Sequence, residues 1–267
     1  MLRYSELGAE VVQLLKLRTV PIGIKLFEKA KDIPQDFDVM DSHCTVCQVI
    51  GMARYHEKAV AATREWAFAC AGGAAVLGFC DIPDDVADGT RNVGVWAETK
   101  EAAQKIFQNR MAIERWRFEA FGVAPLSKMS VEPDIVQVWG TPAQILALIY
   151  ANIWDGGGNL ELSTNGHGAS CYEALVVPYL RDETRLAIAD IGDRRYAYAA
   201  DDEMIAGIPV KAFERLAQNL GKSYTGCYKY PYEYYFFPMP QSALERNQGL
   251  ITGGPAATGA TRQRDET

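Results

Sequence analysis

Apolar residues recur along this chain with two periods, and their alternation outlines helices and strands. Leu7, Val11, Leu14 and Leu15 fall on one face of a helix over residues 5–17, with Ser5 able to cap it. The run PIGIKLF at 21–27 reads as a strand, and residues 29–43 as a polar loop. A second helix opens near Cys44 or Thr45 and continues through Val49, Ile50 and Met52 to about Tyr55. A strand near 65–69 then leads to Cys70, and Gly72 and Gly73 permit a tight turn into a short helix over 74–79. Residues 81–92 read as loop, 93–97 as a strand, and Thr99 caps a helix over about 100–117.

The rest of the chain repeats this grammar. PDIVQVW at 133–139 is the clearest strand. Thr141-Pro142 supplies a cap and a proline at the first helical position, and the helix runs to about Trp154 before Gly156. Residues 160–163 form a short strand, and 164–170 a polar, glycine-bearing loop ending on Cys171, where a helix to about 177 begins. Strands follow over 185–191 and 204–208, and Pro209 opens a last helix through Phe213, Leu216 and Leu220. The expected fold is α/β or α+β: one domain over 1–248, a mixed sheet with helices, and a flexible tail over 249–267.

Two weakly related βα halves, about 20–80 and 132–208, share a plan. Each has a strand, a cysteine at a helix start, a further strand, and a second polar residue at a glycine turn. Cys47 and Cys70 are 23 positions apart, Cys171 and Asp190 are 19. Gly72 and Gly192 follow the second member of each pair. A pseudo-twofold would turn these four side chains toward one point. The loop STNGHGAS at 163–170 brings His167 beside them, and Arg194 follows the second turn as a candidate for an anionic group.

Composition narrows the function classes. The chain has 267 residues, 48% hydrophobic, with a formal net charge of −7 and no basic block, which argues against nucleic acid and membrane surfaces as partners. No apolar run approaches the roughly 20 residues of a membrane span. The N-terminus lacks the apolar core of a signal peptide, so a cytoplasmic location is expected. Disulfides are rare there, so the six cysteines need another account. Cys80 and Cys227 are assigned to packing. The aromatic run from Tyr228 to Phe237 suggests a homodimer contact.

These motifs resemble the domain-of-unknown-function 169 family over about residues 5–220. The signatures are PIGIKLF, Cys47-Gln48, Cys70-Ala-Gly-Gly with Leu77-Gly78, PDIVQVWGTPAQ, Cys171, and Gly207-Ile208-Pro209. The resemblance implies cysteines at the positions of Cys47, Cys70 and Cys171, and a fourth in a Cys-x-Gly-x-Arg segment. This chain departs there, with Asp190 in place of the fourth thiol and an additional Cys44 three residues before Cys47.

The constellation admits several readings. The first is a [4Fe-4S] cluster held by Cys47, Cys70 and Cys171, with Asp190 or Cys44 at the fourth iron, in an enzyme acting on a small anionic molecule. An open iron suits lyase or sulfur-transfer chemistry, a closed one electron transfer; Asp190, Arg194 and His167 would be its catalytic residues. The second is zinc with hydrolytic chemistry, for which His43 and His167 are further ligand candidates. The third is thiol redox at Cys44-x-x-Cys47. The last is a metal-free protein that binds a small molecule or serves as an accessory.

Overall fold

A computed structural model of the chain describes residues 2–108, 110–223 and 230–232. The chain divides into two units, Met1–Pro231 and Tyr232–Thr267, and the fold and site described belong to the first. Helix α1 (Leu2–Leu15) precedes strand β1 (Ile22–Phe27), a short strand β2 (Asp38–Val39), α2 (Val46–Tyr55), β3 (Val60–Thr63) and the short helices α3 (Ala71–Val76) and α4 (Asp84–Ala87). Then come α5 (Lys100–Phe107), β4 (Ala120–Pro125), β5 (Ile135–Gly140), α6 (Pro142–Ile153) and β6 (Glu161–Leu162). A π-helix (Ala169–Val176) runs into α7 (Val177–Arg181), followed by β7 (Arg185–Ile188), α8 (Ile191–Tyr196), β8 (Met204–Pro209) and α9 (Val210–Ser223).

The strands form one mixed sheet in the order β2-β3-β4-β1-β5-β8-β7-β6. The outer pairs β2–β3 and β6–β7 are parallel and the inner pairs antiparallel. The order reads the same way outward from the central β1–β5 pair, where Ile22 faces Gln137 and Ile24 faces Ile135. Every residue of β4 and β5 is buried, so these strands are covered on both faces. One face packs Val49, Ile50 and Ala53 of α2 with Ile24, Val123, Trp139, Leu175 and Ile205 in a single hydrophobic core. Helix α9 packs on both α1 and α6. The mixed α/β architecture expected from the hydrophobic pattern is therefore present. Among the described residues no helix is long and apolar enough to cross a membrane.

Several elements differ from expectation, each for a local reason. The strand before Cys70 is VAAT at 60–63 rather than 65–69, because 64–70 turns back on the loop before α2: Cys44 N donates to Trp66 O and Ala69 N to Cys44 O. Gly72 and Gly73 lie inside α3 instead of forming a turn ahead of it. Residues 93 and 97 form a single bridge, and the helix from Thr99 stops at Phe107. Strand β4, AFGVAP, has no alternation to announce it. Its Gly122 makes room for two rings, since a methyl there would lie 2.7 Å from Phe37 and 3.0 Å from Phe27. Lys25, an oddity in an apolar strand, meets Asp134 at 2.9 Å, and the same carboxylate accepts from Leu26 N. The tail at 249–267, Cys227, and the aromatic run apart from Tyr230 and Tyr232 lie outside the described residues.

Candidate functional site: a thiol-lined cavity

Two helix starts build the site. At α2, Thr45 and Gln48 form a capping box: Thr45 Oγ1 accepts from Gln48 N at 3.1 Å, and Gln48 Oε1 accepts from Thr45 N at 2.7 Å. This fixes the first turn, which carries Cys47. Gly51 lets α2 lie directly on the end of α8, for a methyl there would come within 2.8 Å of Ala197 Cα. Arg54 locks the contact from inside, fully buried, 2.8 Å from Glu203 and donating to Ala197 O, with its guanidinium 3.7 Å from the centre of the Trp139 ring.

The π-helix carrying Cys171 is braced from the sheet. Gln137 of β5, wholly buried, donates to Ser170 O at 2.7 Å and Ala174 O at 3.1 Å, and is itself held by the Trp139 indole N–H. Gly207 of β8 allows this approach; a methyl on it would lie 2.2 Å from Ala174 O. Residue 168, a glycine in the left-handed region at φ 75°, starts the helix without a side chain to cap it. Its free N–H groups are met instead by two aspartates from the start of α8. Ala169 N donates to Asp190 Oδ2 at 3.0 Å, and Ser170 N to Asp193 Oδ2 at 3.2 Å. The same pair caps α8, with Asp193 N on Asp190 Oδ1 at 2.9 Å and Asp190 N on Asp193 Oδ2.

Cys47, Cys70, Cys171, Asp190 and His167 line one cavity of about 250 Å³. A methyl on Gly73 would stand 3.7 Å from Cys171 Sγ and 3.9 Å from Cys70 Sγ, so the two sulfurs flank one point. A methyl on Gly192 would stand 3.5 Å from Cys47 Sγ and 3.2 Å from Asp190 Oδ1. Arg110 joins them, its Nη1 and Cys171 Sγ each within 4 Å of the point that a methyl on Gly168 would occupy. Its Nη2 donates to His167 O at 2.8 Å and Asn165 Oδ1 at 3.1 Å, and its guanidinium lies over the rings of Phe107 and Tyr172. The ring of His167 stands edge-on to Trp96, 4.6 Å between centroids.

Burial dominates the electrostatics. It holds the Cys47 and Cys171 thiols well above their ordinary pKa, and the neighbouring carboxylates and thiols push the same way. Both are therefore protonated at neutral pH. Burial, helped by the Asp190 charge, raises Asp193 to about 7, against the hydrogen bonds it accepts from Ser170 and Asp190. Burial and then Arg110 lower His167, so its imidazole is neutral at pH 7. Arg110 is itself pushed down by burial.

This geometry corrects the metal-centre expectation. Among the described residues no group of three or more His, Cys, Asp or Glu side chains is arranged to hold a metal ion. That overturns the [4Fe-4S] cluster, the zinc alternative and the iron–sulfur enzyme built on them. The reasons are visible residue by residue. Cys47 and Cys171 are held as neutral thiols, whereas Cys70 is exposed. Both Asp190 oxygens already accept backbone N–H groups, so the residue is a cap where a fourth ligand was expected. Cys44 is buried beside the 64–70 turn, does not line the cavity, and has its thiol raised by burial to about 11. Arg194 turns away as well, donating to Ala200 O and Asp201.

Two cavity residues that the sequence did not single out, Arg110 and Trp96, come from segments read only as a helix and a strand. Arg110 follows the early end of α5, inside what periodicity extends as one helix to 117, and no sequence signal marks it. Trp96 sits in the 93–97 segment. Asp193 and Ser170 adjoin predicted site residues, and a capping box read at Asp190 would have drawn attention to Asp193.

Fold and site together define a mixed α/β protein with a thiol- and carboxylate-lined cavity between two helix starts. The chain belongs to the domain-of-unknown-function 169 family, described as "Uncharacterised ArCR", whose model matches residues 10–219. A protein of Methanocaldococcus jannaschii, itself described as uncharacterized, is 26% identical over 215 residues, spanning 80% of this chain and 91% of the relative. No solved structure matches the chain.

Proposed function

We propose that this protein binds a small anionic molecule in the thiol-lined cavity, with Arg110 as the residue that grips the charge. One observation carries the reading. Arg110 is part-buried, yet among the described residues no carboxylate pairs with it, and its Nε is buried without a hydrogen-bond partner. A guanidinium taken out of water without an acidic partner is costly, and an incoming anion relieves that cost. Arg91 lines the same cavity, though Asp85 already engages it at 2.8 Å. Trp96 and Phe107 give the ligand an apolar wall.

The same reading takes the halves at about 20–80 and 132–208 as copies of one unit; the symmetric strand order supports it. The net charge of −7 supports a partner other than nucleic acid. The test is quenching of tryptophan fluorescence and the change in melting temperature on titration with inorganic phosphate, acetate and oxalate. At least one of these should bind the wild type, and Arg110→Gln should weaken it by on the order of tenfold or more. Equal response of both proteins to all three anions would overturn the reading.

A further inference from the structure

Cys47 differs from the other two thiols of the cavity in what stands behind it. Ser170 Oγ lies 3.9 Å from Cys47 Sγ and is hydrogen-bonded on its other side to Asp193 Oδ1. Ser170 and Asp193 are both wholly buried, while Cys47 keeps 8% exposure on the cavity. A hydroxyl has one proton and two lone pairs. When Ser170 gives its proton to the Asp193 carboxylate, it is left as an acceptor for the Cys47 S–H. A thiol, a hydroxyl and a carboxylate thus follow one another, with the thiol on the cavity and the carboxylate away from water. Among the described residues no hydroxyl or carboxylate is hydrogen-bonded to the Cys171 sulfur, which feels Asp190 and Asp193 as well as the Arg110 cation.

We propose that Cys47, Ser170 and Asp193 form a proton relay that makes Cys47 a nucleophile toward a small carboxylate bearing an electrophilic carbon. The proposal rests on the reading that the cavity takes an anion at Arg110. In the step, the sulfur lone pair forms an S–C bond as the S–H proton passes to Ser170 Oγ and the Ser170 proton to Asp193. On a carbon with a leaving group, that group departs with its bonding pair. With iodoacetate, Cys47–SH, ionised Asp193 and iodoacetate give the S-carboxymethyl thioether, protonated Asp193 and iodide. Base and thiol need not exchange a proton at rest, because the base acts as the bond forms. Cys47 is the catalytic residue. Ser170 and Asp193 act through it.

The groups that face Asp193 set its working range. They are Asp190 on its own helix, Ser170 and Cys171 from the π-helix, and Cys47 and Arg54 from α2. With Asp193 ionising near 7, the relay switches on through neutral pH, below the range in which the Cys47 thiol ionises by itself.

The experiment is the rate of alkylation at Cys47, read by peptide mass spectrometry from pH 5 to 10, with neutral iodoacetamide and anionic iodoacetate as separate probes. In the wild type, Cys47 labelling by iodoacetamide should rise through about pH 7 and again at high pH. Ser170→Ala should lower the neutral-pH rate by on the order of 10²-fold and leave the high-pH branch in place. Asp193→Asn should do the same. Should that variant fail to fold, Ser170→Ala, which removes one oxygen, carries the test alone. An unchanged pH profile in Ser170→Ala overturns the relay. Arg110→Gln separates this from the anion reading: it should abolish preference for iodoacetate over iodoacetamide at Cys47 while keeping the step near pH 7. A preference that survives Arg110→Gln overturns the anion reading and leaves the relay standing.

Discussion

Cys70 and Asp190 hold matching places on the two sides of the sheet. Each follows the second strand out from its edge, β3 or β7, and each is the N-cap of a six-residue helix. Their side chains do opposite things. Cys70 makes no capping hydrogen bond and is exposed. Asp190 closes a capping box on α8 and caps the π-helix as well. The other two helix starts invert the relation. Thr45 caps α2 from its own chain neighbourhood, whereas the π-helix has only Gly168 there and borrows its caps from α8. One side of the sheet presents Cys47 and Cys70, on one helix start that is capped locally and one with no side-chain cap. On the other side Asp190 and Asp193 cap their own helix and the π-helix together, so Asp190 has both oxygens committed to backbone N–H groups. The same site in the fold can hold a free or a committed side chain, depending on whether that side chain must satisfy backbone N–H groups.

The sharpest way to break this comparison is to cut the tie between the two sides. Arg54 of α2 and Glu203 before β8 form a buried pair with both side chains almost fully enclosed. Arg54→Met leaves Glu203 charged and buried, and should cost about 3–5 kcal/mol in urea unfolding. The double variant Arg54→Met/Glu203→Leu should recover most of that loss. A single-variant cost below about 1 kcal/mol would show that α2 does not depend on the pair.

Much of the fold was legible because it is written in periodicity and caps. The strands at Ile22–Phe27 and Ile135–Gly140 and the helix capped by Thr141 announce themselves locally. Strand β4 does not, since small residues, glycine and proline replace alternation where both faces are covered. The cysteines and Asp190 were legible as cavity-lining candidates because cysteine is rare and conspicuous. Their role was not. Whether a carboxylate is a ligand or a cap depends on which N–H groups stand near it, and that of Ala169 is 21 residues from Asp190 and that of Ser170 is 23 from Asp193. Arg110 was invisible for a similar reason: that no carboxylate among the described residues pairs with it is a property of three-dimensional neighbours.

A smaller effect tests the aspartate side by pH. Asp193 is raised by burial from 3.8 to about 7. Between those values the folded state holds a proton that the unfolded state has released, so stability should fall as pH rises from about 4 to 7 and level off above. Urea unfolding at pH 5 and pH 8 should show that loss in the wild type and a smaller one in Asp193→Asn. Asp190, Cys47, Cys171 and Arg54 surround the group in both proteins and contribute equally to the background. Equal slopes in the two proteins would mean that Asp193 ionises in the fold as it does in the unfolded chain.

The smallest effect addresses the matched pair itself. Asp190→Ala removes acceptors from Asp193 N and Ala169 N, one at each of two helix starts. Loss of such a cap costs about 0.5–2 kcal/mol, and the double duty places this one at the upper end. Cys70→Ala removes an exposed thiol with no capping bond, and should stay within about 0.5 kcal/mol of the wild type. Denaturant midpoints at constant slope measure both. If the cysteine variant lost as much stability as the aspartate variant, the Cys70 thiol would be holding the start of α3. The division between a free and a committed side chain at a helix start would then fail at the position where it is most plainly drawn.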